Sequence, residues 1–259
     1  MLAGWRTTIK SEIHARLCVL AGWRTTIKLA IRGGGYRCGV KILLLNFTGC
    51  KMKKEEAYRI ILECADQYKT NLVNCHLLFI FQDVGTVQWL EAICLPRNYR
   101  HLTGINLTDN RLKSVDFYEM CIDKKLSPSA FEMKKDGTTK MKLSVLSQVM
   151  NIHKTAKMIG NFNAAKSLLV TDKLVGTITA CMGFVREHDK SNLYIPNTVL
   201  CEDMRNITEK PTMRMLAIFR KPKSVDIYNE CTYLAKGVPL DCLLLDNILK
   251  QKVMLDNKC

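Results

Sequence analysis

The sequence lacks any hydrophobic run long enough to cross a membrane. A membrane-spanning helix requires about 18 consecutive apolar residues, whereas the longest relevant stretch here is Lys41-Ile-Leu-Leu-Leu-Asn-Phe47. We therefore expect that the chain is not an integral membrane protein. The chain has 259 residues, of which 47% are apolar and 24% are charged. These values are ordinary for a globular protein and exclude wholesale disorder.

Motifs of several common enzyme classes are also missing. The sequence contains no G-x-x-x-x-G-K-S/T, no G-x-G-x-x-G after a predicted strand, no G-x-S-x-G and no H-E-x-x-H. These absences disfavour the usual nucleotide hydrolases, Rossmann oxidoreductases, serine hydrolases and zinc proteases. The five histidines lie far apart and the twelve cysteines form no C-x-x-C pair. We therefore expect free thiols, no metal site and no cofactor.

Acidic residues are scarce relative to basic ones. There are 39 Lys and Arg against 24 Asp and Glu, which gives a formal net charge of +15. Such a surplus favours polyanions such as nucleic acid, although many basic proteins bind none. Residues 1–51 carry nine of the bases and a single acid, and they contain a perfect repeat. Leu2-Ala-Gly-Trp-Arg-Thr-Thr-Ile-Lys10 recurs as Leu20-Ala-Gly-Trp-Arg-Thr-Thr-Ile-Lys28.

The repeat leaves two interpretations of residues 1–51. They can form a basic arm that lays Arg on phosphates and Trp on bases. The interpretation that we favour is a basic leader with a duplicated nine-residue segment, extraneous to the fold or disordered. The folded domain is then expected to span 52–259.

Local patterns predict helices first and strands later. Apolar residues at helical spacing predict a helix over 53–71, and Asp83-Val-Gly-Thr86 predicts a hairpin between strands 76–82 and 87–95. Further helices are predicted over 115–124, 140–161 and 240–254. From residue 167 onward the composition is typical of strands, which are predicted over 168–170, 173–185, 193–195, 214–220 and 232–235. This order indicates an α+β domain with an antiparallel sheet.

Two histidines and two cations are candidate functional residues. An imidazole titrates near neutrality and can act as a general acid or base, which singles out His101 and His153. The alternatives are a surface or capping role for His101 and a satisfied core role for His153. Arg205 offers a bidentate fork for phosphate, unless a neighbouring carboxylate pairs with it. Lys221 can reach a phosphate, or it is a solvated strand end.

Residues 52–254 resemble a family of nucleases found in phages and prophages, the fourth phage-type subfamily of the barnase/EndoU/colicin/RelE-like nucleases. The resemblance rests on stretches that occur in order along the chain. They are Pro96-Arg-Asn-Tyr-Arg-His-Leu-Thr-Gly104, Phe117-Tyr118, Lys135-Asp-Gly-Thr-Thr139, Asn151-Ile-His-Lys-Thr-Ala-Lys157, Gly176-Thr-Ile-Thr-Ala-Cys-Met-Gly-Phe184, Tyr194-Ile-Pro-Asn-Thr198, Asp203-Met-Arg205 and Tyr233-Leu-Ala-Lys-Gly237.

The resemblance implies a fold in which N-terminal helices and a hairpin precede a four-stranded antiparallel sheet. It also implies metal-independent cleavage of RNA, and we expect an endoribonuclease in the cytoplasm of a bacterial host. Our hypothesis for the mechanism is attack by the 2′-OH of RNA, which gives a 2′,3′-cyclic phosphate. We assign His101 as general base or acid, His153 as its complement, and Arg205 and Lys221 as phosphate clamps. Secondary candidates for substrate binding are Lys154 and Thr198.

Two other functions stay open at this point. The chain can be a catalytically inactive nucleic-acid-binding module that uses the same basic cleft. It can also be a phage structural or interaction protein in which the motifs only shape the core. The RNA target, any neutralising partner and the oligomeric state do not follow from the sequence.

Overall fold

The first described helix follows the periodicity of its sequence. The computed structural model describes residues 52–166, 169–188, 192–239, 243 and 247–254, and the predicted leader, 1–51, lies outside them. Helix α1 (Lys54–Asn71) confirms the helix predicted over 53–71. It buries Ala57, Ile61, Cys64, Ala65 and Tyr68, which form one apolar stripe.

The predicted hairpin is also present. Strands β1 (Cys75–Asp83) and β2 (Thr86–Cys94) pair antiparallel in continuous register. The two residues between them, Val84 and Gly85, both have positive φ. This backbone is the one that two-residue hairpin turns favour, because its twist matches that of the flanking strands.

The other elements alternate between short helices and strands. The helices are α2 (Tyr99–Thr103), α3 (Ser114–Ile122), α4 (Thr138–Val149), α5 (Ile152–Thr155), α6 (Met204–Ile207) and α7 (Asn247–Lys252). The strands are β3 (Asn106–Leu107), β4 (Phe131–Glu132), β5 (Met158–Asn161), β6 (Lys173–Gly176), β7 (Cys181–Arg186), β8 (Leu193–Leu200), β9 (Met213–Pro222) and β10 (Glu230–Leu234).

The expectation of a four-stranded antiparallel sheet is wrong, although the mixed α and β content is as expected. Seven strands form a closed ring in the order β1-β2-β8-β7-β6-β5-β9, and β9 pairs back onto β1. Strand β10 extends the sheet from β9, and β2 pairs with β8 in parallel. The ring closes because β1 is hydrogen-bonded along both edges, so the hairpin is part of the sheet rather than separate from it.

The single helix predicted over 140–161 is wrong as well. Helix α4 ends at Val149, α5 follows, and the chain becomes extended at Ala156. Asn151 ends the helical path with its side chain bonded to the carbonyl of Ser147 and to Asn71. Strand β5 then pairs with both β6 and β9. Tertiary pairing therefore overrides a local pattern that favours helix.

The predicted strands need smaller corrections. The segment 173–185 is two strands, β6 and β7, joined by a turn, and residues 169 and 170 lie in no strand. Strands β8, β9 and β10 overlap the segments predicted over 193–195, 214–220 and 232–235. The described part of the last predicted helix contains α7.

Three clusters of buried apolar residues pack against the strands of the ring. The largest contains inward-facing residues of the seven strands, such as Phe79 and Phe184, together with buried residues of α1, α2, α3 and α4. A second cluster lies on the opposite face of β1 and β9 and is covered by Tyr228 and α7. A third lies where Met204 of α6 covers β6 and β7. The ring is therefore packed with side chains and helices.

We predict that Gly176→Ala destabilises the fold by about 2–3 kcal/mol. A Cβ at Gly176 would lie 2.3 Å from the carbonyl oxygen of Ala180 and 2.6 Å from Cα of Cys181, and both are backbone atoms of the turn between β6 and β7. Gly85→Ala is the control, because it adds only the left-handed strain of about 1 kcal/mol, with nothing near the new Cβ. Urea unfolding measures both, and equal losses would contradict the prediction.

Candidate functional site

Helix α2 holds Arg100 and His101 at the surface because its other residues are anchored in the core. Tyr99 is fully buried and its hydroxyl donates to the carbonyl of Ile61 at 2.6 Å. Leu102 is also fully buried. The helix ends at Gly104, whose φ of 70° lies in the left-handed region. The imidazole of His101 is thus presented on a short, rigid segment.

Helix α4 is joined to the end of α2. The Thr139 hydroxyl donates to the carbonyl of Gly104 at 2.7 Å, and the Lys142 ammonium donates to the carbonyl of His101 at 2.8 Å. Gly104 lacks the Cβ that would lie 2.7 Å from Cδ of Lys142, so the lysine side chain can lie across the glycine. These contacts fix the amine of Lys142 beside His101.

A cavity of about 300 Å³ opens between α2, α4 and β8. We call it the His101 pocket. None of its described lining residues is acidic, so its charge is uncompensated and it is suited to an anion. The polar side chains that line it are Arg100, His101, Asn106, Lys134, Lys142, Asn197 and Thr198.

The cations of the pocket shift the titration of their neighbours. Burial, followed by repulsion from Arg100, Lys142 and Lys134, lowers the pKa of His101 below its ordinary value of 6.5. Its imidazole is therefore neutral at pH 7 and can accept a proton. Burial, with Lys134 nearby, lowers the pKa of Lys142 to about 8. Its ammonium is then a better proton donor than an ordinary lysine.

Thr198 and Asn197 form the β8 wall of the same pocket. Thr198 lines the pocket, and its buried hydroxyl has no hydrogen-bond partner among the described residues. Asn197 donates to the carbonyl of Val170, and its Oδ1 accepts from Thr171 at 3.2 Å. The pocket wall is thus tied to the segment that precedes β6.

Arg205 lies outside the His101 pocket. Its guanidinium is paired with Asp203, with 2.6 Å between NH2 and Oδ2, and Asp203 also caps the first turn of α6. The Asp203 carboxylate therefore already binds the guanidinium that was predicted to bind phosphate. The role of Arg205 as a phosphate clamp stays a prediction that its position does not favour.

Lys221 belongs to a different cluster, beneath α7. Its side chain is 9% exposed, donates to the carbonyl of Asp226 at 2.8 Å, and lies 4.9 Å from the ring centre of Tyr228. Tyr228 in turn donates to Glu91, which also pairs with Lys252 of α7. Lys221 is thus bonded within the protein, as part of the contact between strands and C-terminal helix.

His153 is separated from His101 along α4. It follows the C-terminal end of this helix, whereas Lys142, in the first half of the helix, contacts His101. The helix rises about 10 Å between Lys142 and Val149. His153 is fully buried, and neither ring nitrogen has a partner in the described residues. Lys154 is exposed beside it. Neither residue lines the His101 pocket.

The structure therefore brings together His101 and Thr198 among the six predicted site residues. The sequence-based assignment missed Arg100, Lys134 and Lys142, which supply the positive charge. A weak signal for the first is its position directly before His101. The two lysines are not distinguished in the sequence from the many other basic residues, and only the contact with Gly104 distinguishes Lys142 in the structure.

The comparison with protein families decides the class of the protein. A family model described as phage-Barnase-EndoU-ColicinE5/D-RelE like nuclease4 matches residues 60–237. The chain belongs to this nuclease family. The resemblance inferred from the sequence is thereby confirmed, and the match spans the whole His101 pocket. No match is found among curated proteins or among solved structures.

Membership of the nuclease family makes nucleic acid the substrate class. None of the helices in the described part of the chain combines the length and apolarity that a membrane crossing requires. The same residues contain no group of three or more His, Cys, Asp or Glu side chains that could hold a metal ion. Metal independence of the nuclease stays a prediction.

We predict that His153 makes the fold acid-sensitive. Burial, followed by Arg220 and Lys154, lowers its pKa to about 4, with Glu230 acting in the opposite direction. The unfolded chain binds the proton at higher pH, near 6.5, so the free energy of unfolding falls as pH drops from 6.5 towards 4. The expected loss from His153 between pH 7 and pH 5 is about 2 kcal/mol.

His153→Leu removes the titrating group and is expected to flatten this pH dependence in urea unfolding. Replacement of the exposed His188 by Gln is the matched control and should leave the dependence unchanged. An unaltered slope in His153→Leu would show that other groups cause the acid sensitivity.

Proposed function

We propose that the protein is a metal-independent endoribonuclease, encoded by a phage or prophage, that cleaves RNA in the His101 pocket. The observation that carries the proposal is a neutral imidazole surrounded by Arg100, Lys134 and Lys142, with no acidic lining residue among those described. This arrangement suits a phosphodiester, which is anionic and becomes more so during the reaction. The expected setting is the cytoplasm of a bacterial host.

The reaction uses the 2′-OH of the substrate as nucleophile. His101 accepts the proton of this hydroxyl, and the 2′ oxygen forms a bond to phosphorus as the bond to the 5′ oxygen breaks. The Lys142 ammonium gives its proton to the departing 5′ oxygen. The products are a 2′,3′-cyclic phosphate and a 5′-hydroxyl, and proton return from His101 to Lys142 through solvent restores the starting state.

Two unpaired cations support the role of phosphate binding. The side chains of Arg100 and Lys134 have no hydrogen bond or ion pair within the described residues and line the pocket. Both can therefore bind the non-bridging oxygens without first breaking a protein contact. They replace Arg205 and Lys221 in this proposal, because those side chains are already bonded to Asp203 and to the Asp226 carbonyl.

We predict that His101→Ala lowers the rate of RNA cleavage at least about 100-fold, as loss of a positioned general base does. The assay uses single-stranded RNA in excess EDTA, with analysis of the products for a cyclic phosphate. His188→Ala removes an exposed histidine outside the pocket and should cleave like the unaltered protein. Unchanged cleavage by His101→Ala would reject the assignment, and binding without cleavage by the unaltered protein would favour the inactive binding module.

We predict a bell-shaped dependence of kcat/KM on pH. The acid limb arises because protonated His101 cannot accept a proton, and it lies below pH 6.5. The alkaline limb arises because Lys142 loses its proton at about pH 8. Lys142→Arg keeps the positive charge at all these pH values, so its alkaline limb should move up by more than one pH unit. An alkaline limb that stays near 8 would exclude Lys142 as its source.

A further inference from the structure

A second cavity adjoins the His101 pocket and shares two of its residues. Its volume is about 500 Å³, and its lining includes Arg100 and Asn106, which also line the His101 pocket. A strand of nucleic acid whose phosphate lies against Arg100 therefore has an adjacent space large enough for one nucleotide. We call this second cavity the ribbon groove, because the two-stranded ribbon of β3 and β4 forms one side of it.

The ribbon groove has a fixed pair of polar side chains. Asn106 of β3 is directly opposite Glu132 of β4 in the antiparallel register, which brings their Cβ atoms to about 5 Å. Both side chains are exposed, and neither takes part in a hydrogen bond or ion pair among the described residues. The ribbon is anchored by the fully buried Phe131 and by a bond from the Thr108 amide to the carbonyl of Ala130. An amide and a carboxylate are thus held side by side and open to a ligand.

The two acidic residues of the groove differ in availability. Asp109 accepts from both the side chain and the backbone amide of Arg111, so its oxygens are occupied. Glu132 accepts from no described group. Its carboxylate is therefore the unpaired carboxylate among the described residues of the groove, and an ionised carboxylate accepts hydrogen bonds but donates none.

We propose that the ribbon groove binds the base next to the cleaved phosphate and prefers a base with an amino group, namely adenine, cytosine or guanine, over uracil. This inference rests on the cleavage of RNA in the His101 pocket. An exocyclic amino group donates to a carboxylate, and such a charge-assisted bond is stronger than a neutral one. Uracil instead has carbonyl oxygens on both sides of its single ring N–H, and these repel a carboxylate.

The remaining lining fits a flat base. Leu107 and Leu112 line the groove and are partly exposed, so they offer apolar surface to the face of a ring. Asn106 can donate to a ring nitrogen or carbonyl and accept from an amino group. Arg100 lies at the junction with the His101 pocket, where a phosphate joins two nucleotides. The basic pocket thus binds the backbone, and the groove with its free carboxylate reads the base.

The test uses short oligouridylates that carry a single adenosine, cytidine or guanosine, with cleavage mapped at each bond. The unaltered protein should cut beside the amino-bearing base about tenfold or more faster than between uridines. Glu132→Gln should reduce this ratio to about threefold or less, because the amide also donates to uracil carbonyls. Glu119→Gln removes another exposed carboxylate, on α3 and outside the groove, and should keep the original ratio.

A binding measurement separates this inference from the proposed function. The His101→Ala variant is titrated with the same oligonucleotides, labelled, and binding is measured by fluorescence anisotropy. It should bind the amino-bearing sequences more tightly than oligouridylate. The double variant with Glu132→Gln should lose this difference in affinity. That result supports the groove even if the unaltered protein cleaves no RNA. Cleavage without base preference, or a preference that survives Glu132→Gln in both assays, overturns the inference and leaves the nuclease proposal intact.

Discussion

Hydrogen bonding of β1 along both of its edges is the constraint on which the fold depends. Strand β1 pairs with β2 on one side and with β9 on the other, and this double pairing converts a hairpin and a meander into one closed ring. Residues 77–81 are all buried, so their backbone groups have no access to water and must be bonded within the protein. Their side chains alternate between the cluster under the helices and the cluster under α7.

The proposed chemistry depends on a smaller constraint, the junction between α2 and α4. Thr139 and Lys142 both donate to carbonyl groups at the end of α2, and the absence of a side chain at Gly104 lets the lysine lie close. The cations gathered there repel one another, since no acid is among the described lining residues. An anionic ligand in the pocket would reduce this repulsion, so binding of the proposed substrate would stabilise the junction.

The sequence predicts the parts of the fold that depend on neighbouring residues. Helix α1 and the hairpin follow from local periodicity and turn chemistry. Strand β5 was predicted as helix because its conformation is decided by pairing with β6 and β9, whose residues lie elsewhere in the chain. The closed ring escaped prediction for the same reason, since Cys75 of β1 pairs with Pro222 of β9.

The sequence predicts only part of the candidate site, for a related reason. A histidine such as His101 is rare enough in the sequence to attract notice. Whether a cation is available to a ligand depends on what it contacts. Asp203 binds Arg205 and a carbonyl binds Lys221, whereas Arg100 has no such partner in the described residues.

The pairing of β1 with β9 also bears on how the chain matures during its synthesis. Translation delivers β1 long before β9, so one edge of β1 stays unpaired while well over a hundred further residues are added. Contacts so distant in sequence form slowly, and an open strand edge can pair with other chains. A nascent or truncated chain that ends before residue 213 therefore lacks the partner of this edge, and the edge stays available to other chains until β9 has been added.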